Sequence, residues 1–192
     1  MDLDLFDRLV MSAHGEQRYG SRPYRFHLEF VRDIIYALPS LDEEGVFKGV
    51  SFLDLTCVAL GHDLIEDTDV TMAEIAALTN MDVAEAISLI SDQKAGSRKD
   101  KKRHTLSRFK NYPNKYVKKL AATVKYADRL CNLHFSLRGL DGTDMRSKKL
   151  IMYIEEHDAF AQTYKDYCSS AVLVRAVDSI IELSRNALRE SG

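Results

Sequence analysis

The stretch Leu60-Gly-His-Asp-Leu-Ile-Glu-Asp-Thr68 closes an apolar segment and carries most of the polar groups of that region. The apolar segment reads as a buried helix, with its polar side chains at the C-terminal end. On a continuous helix, His62 lies one turn before Glu66. Asp63 likewise lies one turn before Asp67, so the four groups share one sector of the helix. An imidazole beside a carboxylate is a pair of metal ligands, although a solvated helix end with an ion-paired histidine is the alternative.

Length and composition restrict the class of protein. The chain has 192 residues, 45% hydrophobic and 29% charged, which is ordinary for one globular domain with a sizeable core. A net charge of −2 argues against a general nucleic-acid binder, so any basic surface must be local. The three scattered cysteines fit a reducing compartment. Because the sequence has neither a signal peptide nor an apolar run long enough for a membrane span, we expect a cytoplasmic protein without membrane contacts.

Helical periodicity is present in every long segment, and no segment alternates convincingly as a strand. The expected long helices are 2–17, 24–38, 51–65, 98–111, 115–134, 146–164 and 168–190, with loops at 39–50 and 139–144.

Two capping boxes predict shorter helices between the central helix and the basic segment. Thr71 with Glu74 is the first, and Asp82 with Glu85 repeats the same spacing. The predicted fold class is therefore all-α: one domain over residues 1–192, built as a bundle of about eight to ten helices.

Two polar residues lie on otherwise apolar helix faces far from the central stretch. His27 falls on the apolar stripe of the second helix, where a core histidine bonded to a backbone carbonyl is the alternative. Asp128 falls on the buried face of its helix, and Asn132 follows one turn later. A buried carboxylate needs a cation, several donors or a metal. With His62 and Asp63, the set becomes two imidazoles and two carboxylates, which suits Mn²⁺, Fe²⁺ or Zn²⁺.

The spaced pattern of these four residues resembles that of the HD-domain metal phosphohydrolases. More narrowly, the chain resembles the hydrolase domain of the Rel/Spo family and its single-domain relatives, the small alarmone hydrolases. Three segments carry the resemblance: Ala13-His14 with Gln17-Arg18, Pro23-Tyr24 and His27; Gly61 to Thr68 with Thr71 and Glu74-Ile75; and Lys125 to Leu133. The resemblance covers roughly residues 5–165.

The resemblance implies an HD-type helical bundle that removes the 3′-pyrophosphate from the nucleotide alarmone (p)ppGpp, with Mn²⁺ or another divalent metal as cofactor. The implied metal ligands are His27, His62, Asp63 and Asp128, and the implied catalytic acids are Glu66 and Asp67. Arg18 would pack against the nucleobase, and Asn132 would contact the nucleoside. The synthetase domain of the long Rel/Spo enzymes is expected to be absent, so that the chain degrades alarmone without making it.

The segment 94–110 is strongly basic, with Asp100 as its only acid. A solvated basic face is one interpretation of this segment. The other is a funnel for a polyanionic substrate, with some of the cations gripping its phosphates. On that hypothesis we expect Lys94, Arg98 and Lys101 to bind substrate.

Several positions depart from the family pattern. Tyr19, a candidate substrate contact, stands where the family commonly has lysine beside the arginine that packs on the base. Arg22 replaces a small or acidic residue, and Gly61 replaces the leucine before His62. Because the changes at 19 and 22 fall where the base would bind, adenosine alarmones such as (p)ppApp, and NADPH, are alternative substrates.

A non-catalytic nucleotide sensor is a third hypothesis, although the retained pair Glu66 and Asp67 argues against it. The last helix, 168–190, either closes the core or forms a homodimer face.

Overall fold

A computed structural model describes residues 1–40, 47, 49–138 and 148–190. These residues form ten α-helices, one two-stranded hairpin and two short 3₁₀ helices. In chain order they are α1 (Leu3–His14), β1 (Arg18–Tyr19), β2 (Arg22–Pro23), α2 (Arg25–Ala37), a 3₁₀ turn (Leu38–Ser40), α3 (Phe52–Gly61), α4 (Leu64–Asp67), α5 (Met72–Leu78), α6 (Met81–Ile90), α7 (Arg98–Asn111), α8 (Lys115–Arg138), α9 (Lys148–Tyr164), a second 3₁₀ turn (Lys165–Tyr167) and α10 (Ala171–Glu190). The predicted all-α class is confirmed.

Helix α8 is the centre of the bundle, and it packs against α2, α3, α6, α9 and α10. The positions that its periodicity assigned to the core, such as Val117, Leu120 and Val124, are fully buried. Helix α3 is exposed at its first two residues, but every residue from Asp54 to Gly61 is buried. A polar side chain at the end of α3 or in the middle of α8 is therefore attached to backbone that lies inside the core.

The central helix is shorter than predicted. The sequence suggests one helix over 51–65, but α3 ends at Gly61 and α4 begins at Leu64. Asp63, between them, has φ −102° and ψ −1°, in the sparsely populated region between helix and strand. The four polar groups of this stretch therefore do not share one helical sector. No proline stands at this break, α3 ends on Gly61, and the Asp63 side chain accepts a hydrogen bond from Tyr24, which precedes α2.

Two local features also differ from the sequence prediction. A minimal hairpin pairs Arg18 with Pro23 and Tyr19 with Arg22, and its turn uses Gly20 at φ 59°. The second capping box is not formed. Helix α6 begins instead at Met81 and is capped by Asn80, whose side chain accepts a hydrogen bond from the Val83 amide at 2.9 Å; asparagine is among the best N-cap residues.

Other predictions agree with the structure or lie outside its described part. The first capping box, Thr71 with Glu74, is present, and α7 matches its predicted limits. Cys57 and Cys131 are buried free thiols, and Cys168 is partly buried. The loop at 139–144 and most of 39–50 lie outside the described residues. No helix in the described part of the chain is long and apolar enough to cross a bilayer.

Candidate active site

The four predicted metal ligands meet at one point inside the bundle. The Nε2 atoms of His27 and His62 lie 3.2 Å apart. Asp63 Oδ2 is 3.1 Å from His62 Nε2, and Asp128 Oδ1 is 3.4 Å from His27 Nε2. The ligand atoms of His27, His62 and Asp128 all lie within 4.8 Å of one another. Residues more than a hundred positions apart in sequence therefore form one compact cluster.

Three elements deliver these side chains, and the break after α3 is essential to the geometry. His27 comes from α2, and Asp128 comes from the middle of α8. His62 and Asp63 lie at the break, and their two consecutive side chains face the same cluster. On a continuous helix they would project about 100° apart.

The two imidazole rings are held so that Nε2 faces the cluster. His62 Nδ1 lies 2.7 Å from the Ala59 carbonyl oxygen, which only accepts, so Nδ1 carries the proton and donates. His62 Nε2 then faces the cluster, where it can donate to a carboxylate when protonated or offer its lone pair to a cation when neutral. On the far side of His27, Nδ1 lies 3.4 Å from Cys131 Sγ.

Two tyrosines fix the carboxylates. The Tyr24 hydroxyl donates to Asp63 Oδ2 at 2.5 Å. The Tyr19 hydroxyl donates to Asn132 Oδ1 at 2.8 Å, and the Asn132 amide in turn donates to Asp128. Neither Tyr24 nor the relay through Asn132 is evident from composition or periodicity. The Tyr19 ring also stacks on the ring of His27, with centroids 4.5 Å apart.

The electrostatics of the cluster reflect the mutual attraction of rings and carboxylates. Burial alone would lower the pKa of His27, but its hydrogen bonds with Asp128 and Asp63 raise that pKa well above its usual value. Burial alone would raise the pKa of Asp63, but His62 and His27 hold it well below its usual range. The pKa of Asp128 is lowered in the same way, by His27 and Lys125. The site therefore keeps both carboxylates ionised.

This donor set fits a divalent cation. Two imidazole nitrogens 3.2 Å apart point into the same space, and carboxylate oxygens from two residues face them. Two nitrogen and two oxygen donors suit the transition metals, and positions remain for other ligands. Each ring has its other nitrogen engaged, as metal-binding histidines generally do.

The two predicted catalytic acids occupy different positions. Glu66 lines the cavity above the cluster, and its Oε2 accepts a hydrogen bond from the Asp92 amide at 2.8 Å. Burial raises the pKa of Glu66, although the Lys125 ammonium opposes this shift. Asp67 is exposed and accepts a hydrogen bond from Gln17 Nε2 at 2.8 Å. Glu66 is therefore the acid that faces the cluster directly.

The cluster opens into a polar cavity of about 150 Å³. Its described lining residues are Tyr19, Tyr24, His27, Asp63, Glu66, Arg98, Lys102, Lys125, Asp128, Arg129, Asn132 and Tyr153. A larger cavity of about 590 Å³ lies between α7 and α9, with an apolar floor that includes Leu106 and Phe160. Four cations line both cavities: Arg98, Lys102, Lys125 and Arg129. A row of positive charge thus separates the two spaces.

The basic residues at the cavity are only partly those expected. Arg98 lines it, whereas neither Lys94 nor Lys101 is among the described lining residues. Lys94 lies at the surface, where it donates to the Thr68 carbonyl and pairs with Asp69. Lysines 102 and 125 and Arg129 take their place. Two of these three lie in the Lys125–Leu133 segment, which the sequence had already singled out.

The residues expected to bind the nucleoside are in two different environments. Arg18 is exposed on β1 and is not among the described residues that line either cavity. Tyr19 and Asn132 line the cavity, but they bond to each other and to Asp128. The Asn132 amide therefore already makes one hydrogen bond at its oxygen and one at its nitrogen.

No family model matches the chain, and no curated protein matches it in sequence. A solved structure does match it: a metazoan ortholog of SpoT that hydrolyses ppGpp, at 21% sequence identity and a TM-score of 0.71. The match covers 94% of this chain and 93% of that one. The two chains share one fold. The all-α bundle that the resemblance implied is thereby confirmed.

Proposed function

We propose that this chain is a metal-dependent hydrolase that removes the 3′-pyrophosphate from (p)ppGpp. The observation that carries the proposal is the convergence of His27, His62, Asp63 and Asp128 beneath a cavity walled by four cations. The shared fold with a ppGpp-hydrolysing protein supports the same substrate class. The metal and the reaction on phosphorus are both consistent with these residues.

The four converging residues would hold the metal, and we propose Mn²⁺ as the ion in this site because it accepts mixed imidazole and carboxylate ligands. A divalent cation supplies two things to phosphate hydrolysis: it lowers the pKa of water and it neutralises charge on phosphoryl oxygens.

Glu66 would orient the attacking water and hold a proton during the reaction. Its carboxylate faces the cavity, and the Asp92 amide fixes one oxygen. A carboxyl group with a raised pKa is suited to moving protons near neutral pH. Asp67, with Gln17 bonded to it, would act at the cavity rim in assisting the leaving group.

The shared cations would bind the phosphates of the substrate. Phosphoryl transfer depends on positioning and charge neutralisation more than on covalent chemistry by the protein. Burial alone would lower the pKa of Lys125, but Asp128 and Glu66 raise it, so this ammonium remains charged. Arginine at the same wall allows two-pronged contacts with phosphate oxygens.

The test is direct hydrolysis by the purified chain. With Mn²⁺ present, ppGpp should yield pyrophosphate and GDP, detected by chromatography and by a pyrophosphate assay. Parallel reactions with ppApp and NADPH measure base and phosphate selectivity, and reactions with Mg²⁺ or Zn²⁺ measure metal selectivity. Binding of ppGpp without release of pyrophosphate, by protein shown to contain metal, would instead indicate a sensor.

A further inference from the structure

Four cations line both cavities: Arg98, Lys102, Lys125 and Arg129. A carboxylate of the protein itself is bound to part of this set, which we call the cation wall. Arg98, at the start of α7, forms a two-pronged ion pair with Glu156 of α9. Its Nε donates to Oε1 at 2.8 Å, and one terminal nitrogen donates to Oε2 at 3.1 Å. Fork-to-fork pairing of this kind is also how arginine binds a phosphate group.

The same carboxylate faces a second guanidinium. Glu156 Oε2 lies 3.8 Å from Arg129 Nη2. Arg129 is buried, with its guanidinium over the rings of Tyr153 and Phe160, and one of its nitrogens donates to the Tyr153 carbonyl. One carboxylate thus lies between two guanidiniums, in an arrangement that a phosphate could also adopt.

The ion pair can be exchanged at low cost. The Arg98 side chain is 49% exposed and that of Glu156 is 26% exposed, so water reaches both partners. Ion pairs with this exposure contribute little to stability and are screened by salt. Glu156 lines the larger cavity, whereas Arg98 and Arg129 line both cavities. Movement of Glu156 would therefore free two cations toward the catalytic cavity without disturbing the metal cluster.

We propose that Glu156 is an internal competitor for phosphate at the Arg98–Arg129 pair and thereby sets the affinity of this end of the site for its anionic substrate. The proposal rests on the proposed function for the identity of the substrate. The competition itself concerns any phosphate anion and can be measured without turnover.

The decisive measurement is a calorimetric titration of the full chain with inorganic pyrophosphate, in buffer without added metal. Glu156→Gln should bind pyrophosphate about two- to fivefold more tightly than wild type, the range expected for an exposed ion pair. Glu155→Gln is the matched control, because it removes the same charge from the adjacent exposed residue at the same cavity. It should bind pyrophosphate as wild type does.

Kinetics give a second readout once turnover of ppGpp is established. E156Q should lower KM and leave kcat unchanged, because the competition affects binding alone. If wild type hydrolyses no ppGpp, the proposed function fails, yet the pyrophosphate titration still decides this inference.

Should E156Q be unstable in a thermal melt, Glu156→Met fills similar space without charge and repeats the test. Binding equal to or weaker than wild type in the uncharged variant, or an equal gain in E155Q, would overturn the inference.

Discussion

The hydroxyl of Tyr19 donates to Oδ1 of Asn132 at 2.8 Å, and through that amide it reaches Asp128 of the metal cluster. The same ring stacks on His27. Tyr19 is thus linked to two of the four proposed ligands, from α2 and from α8. A residue first noted as a departure at the base-binding position is placed to orient the metal ligands.

Tyr19→Phe should retain the stacking on His27 and lose the hydrogen bond to Asn132. We expect metal affinity to fall about tenfold, at the lower end of the range for residues that orient metal ligands. Competition with a chelator of known affinity measures the change. Tyr36→Phe, at an exposed position on α2, is the control and should leave metal affinity unchanged. Equal affinities in Y19F and wild type would show that the relay does not act on the metal.

Asp63→Ala should abolish metal binding and loosen the structure locally. The substitution removes one ligand and leaves the Tyr24 hydroxyl and the two histidines without their shared acceptor. Metal content by elemental analysis after dialysis checks the first effect, and hydrogen exchange of α2 and α4 checks the second. Asp69→Ala, on a fully exposed carboxylate, should retain metal.

Glu66→Gln should keep its metal and lose turnover, because the amide cannot accept the proton that the carboxylate accepts. The expected loss in kcat is about 10²- to 10⁴-fold, which is typical of a general acid or base. Metal content measured on the same sample separates loss of chemistry from loss of the ion. Glu182→Gln, exposed on α10, serves as the control. Persistent turnover in E66Q would assign the proton transfer to another group.

Metal addition should stabilise the fold, because the cation binds a cluster that exists only in the folded chain. An ion at about 100 times its dissociation constant adds about 2.7 kcal/mol to the free energy of unfolding. For a chain of this size, that corresponds to a rise in Tm of about 5–10 °C. Thermal melts with Mn²⁺ and with EDTA measure the difference. The same comparison on D63A should show no shift.

Gly61→Ala should destabilise the chain by about 1–3 kcal/mol through overpacking. A Cβ at this position would lie 2.8 Å from Phe6 Cζ and 2.9 Å from Ile87 Cδ1. A leucine at this position would need still more space than alanine. The close approach of α1 to α3 therefore requires glycine here. Urea unfolding measures the loss. Phe6→Leu should cost less in the G61A background than in wild type, because the shorter side chain relieves the contact.

Much of this site is predictable from the sequence because its ligands violate a periodic pattern. His27 and Asp128 lie on faces that are otherwise apolar, and burying such groups requires a partner. The central pair His62 and Asp63 is conspicuous at the end of a strongly apolar helix. These signals are local, and local patterns are what periodicity can detect.

The individual residues of the cation wall could not be predicted from the sequence. Helix α7 is polar around most of its circumference, and Thr105 and Phe109 are its buried residues. Lys101 and Lys102 precede Thr105 by four and three positions, so helical spacing allows either to share its face. The structure places Lys102 beside Asp92, which follows α6: the Lys102 ammonium pairs with this carboxylate at 2.7 Å, and the Thr105 hydroxyl donates to it. The break at Asp63 was not predicted either, and the Asp63 side chain bonds there to Tyr24, which is 39 residues away in sequence.

The bond from His62 to the Ala59 carbonyl has a consequence for robustness. Many histidine ligands are oriented by a second carboxylate, whose grip weakens in acid and in concentrated salt. Here a main-chain oxygen in the last turn of α3, where helical acceptors lack their full set of partners, does the orienting. That oxygen neither gains a proton nor attracts counterions. It also belongs to the backbone, so no substitution of the Ala59 side chain can remove it. The His62 ring therefore keeps its orientation as long as the last turn of α3 stays folded.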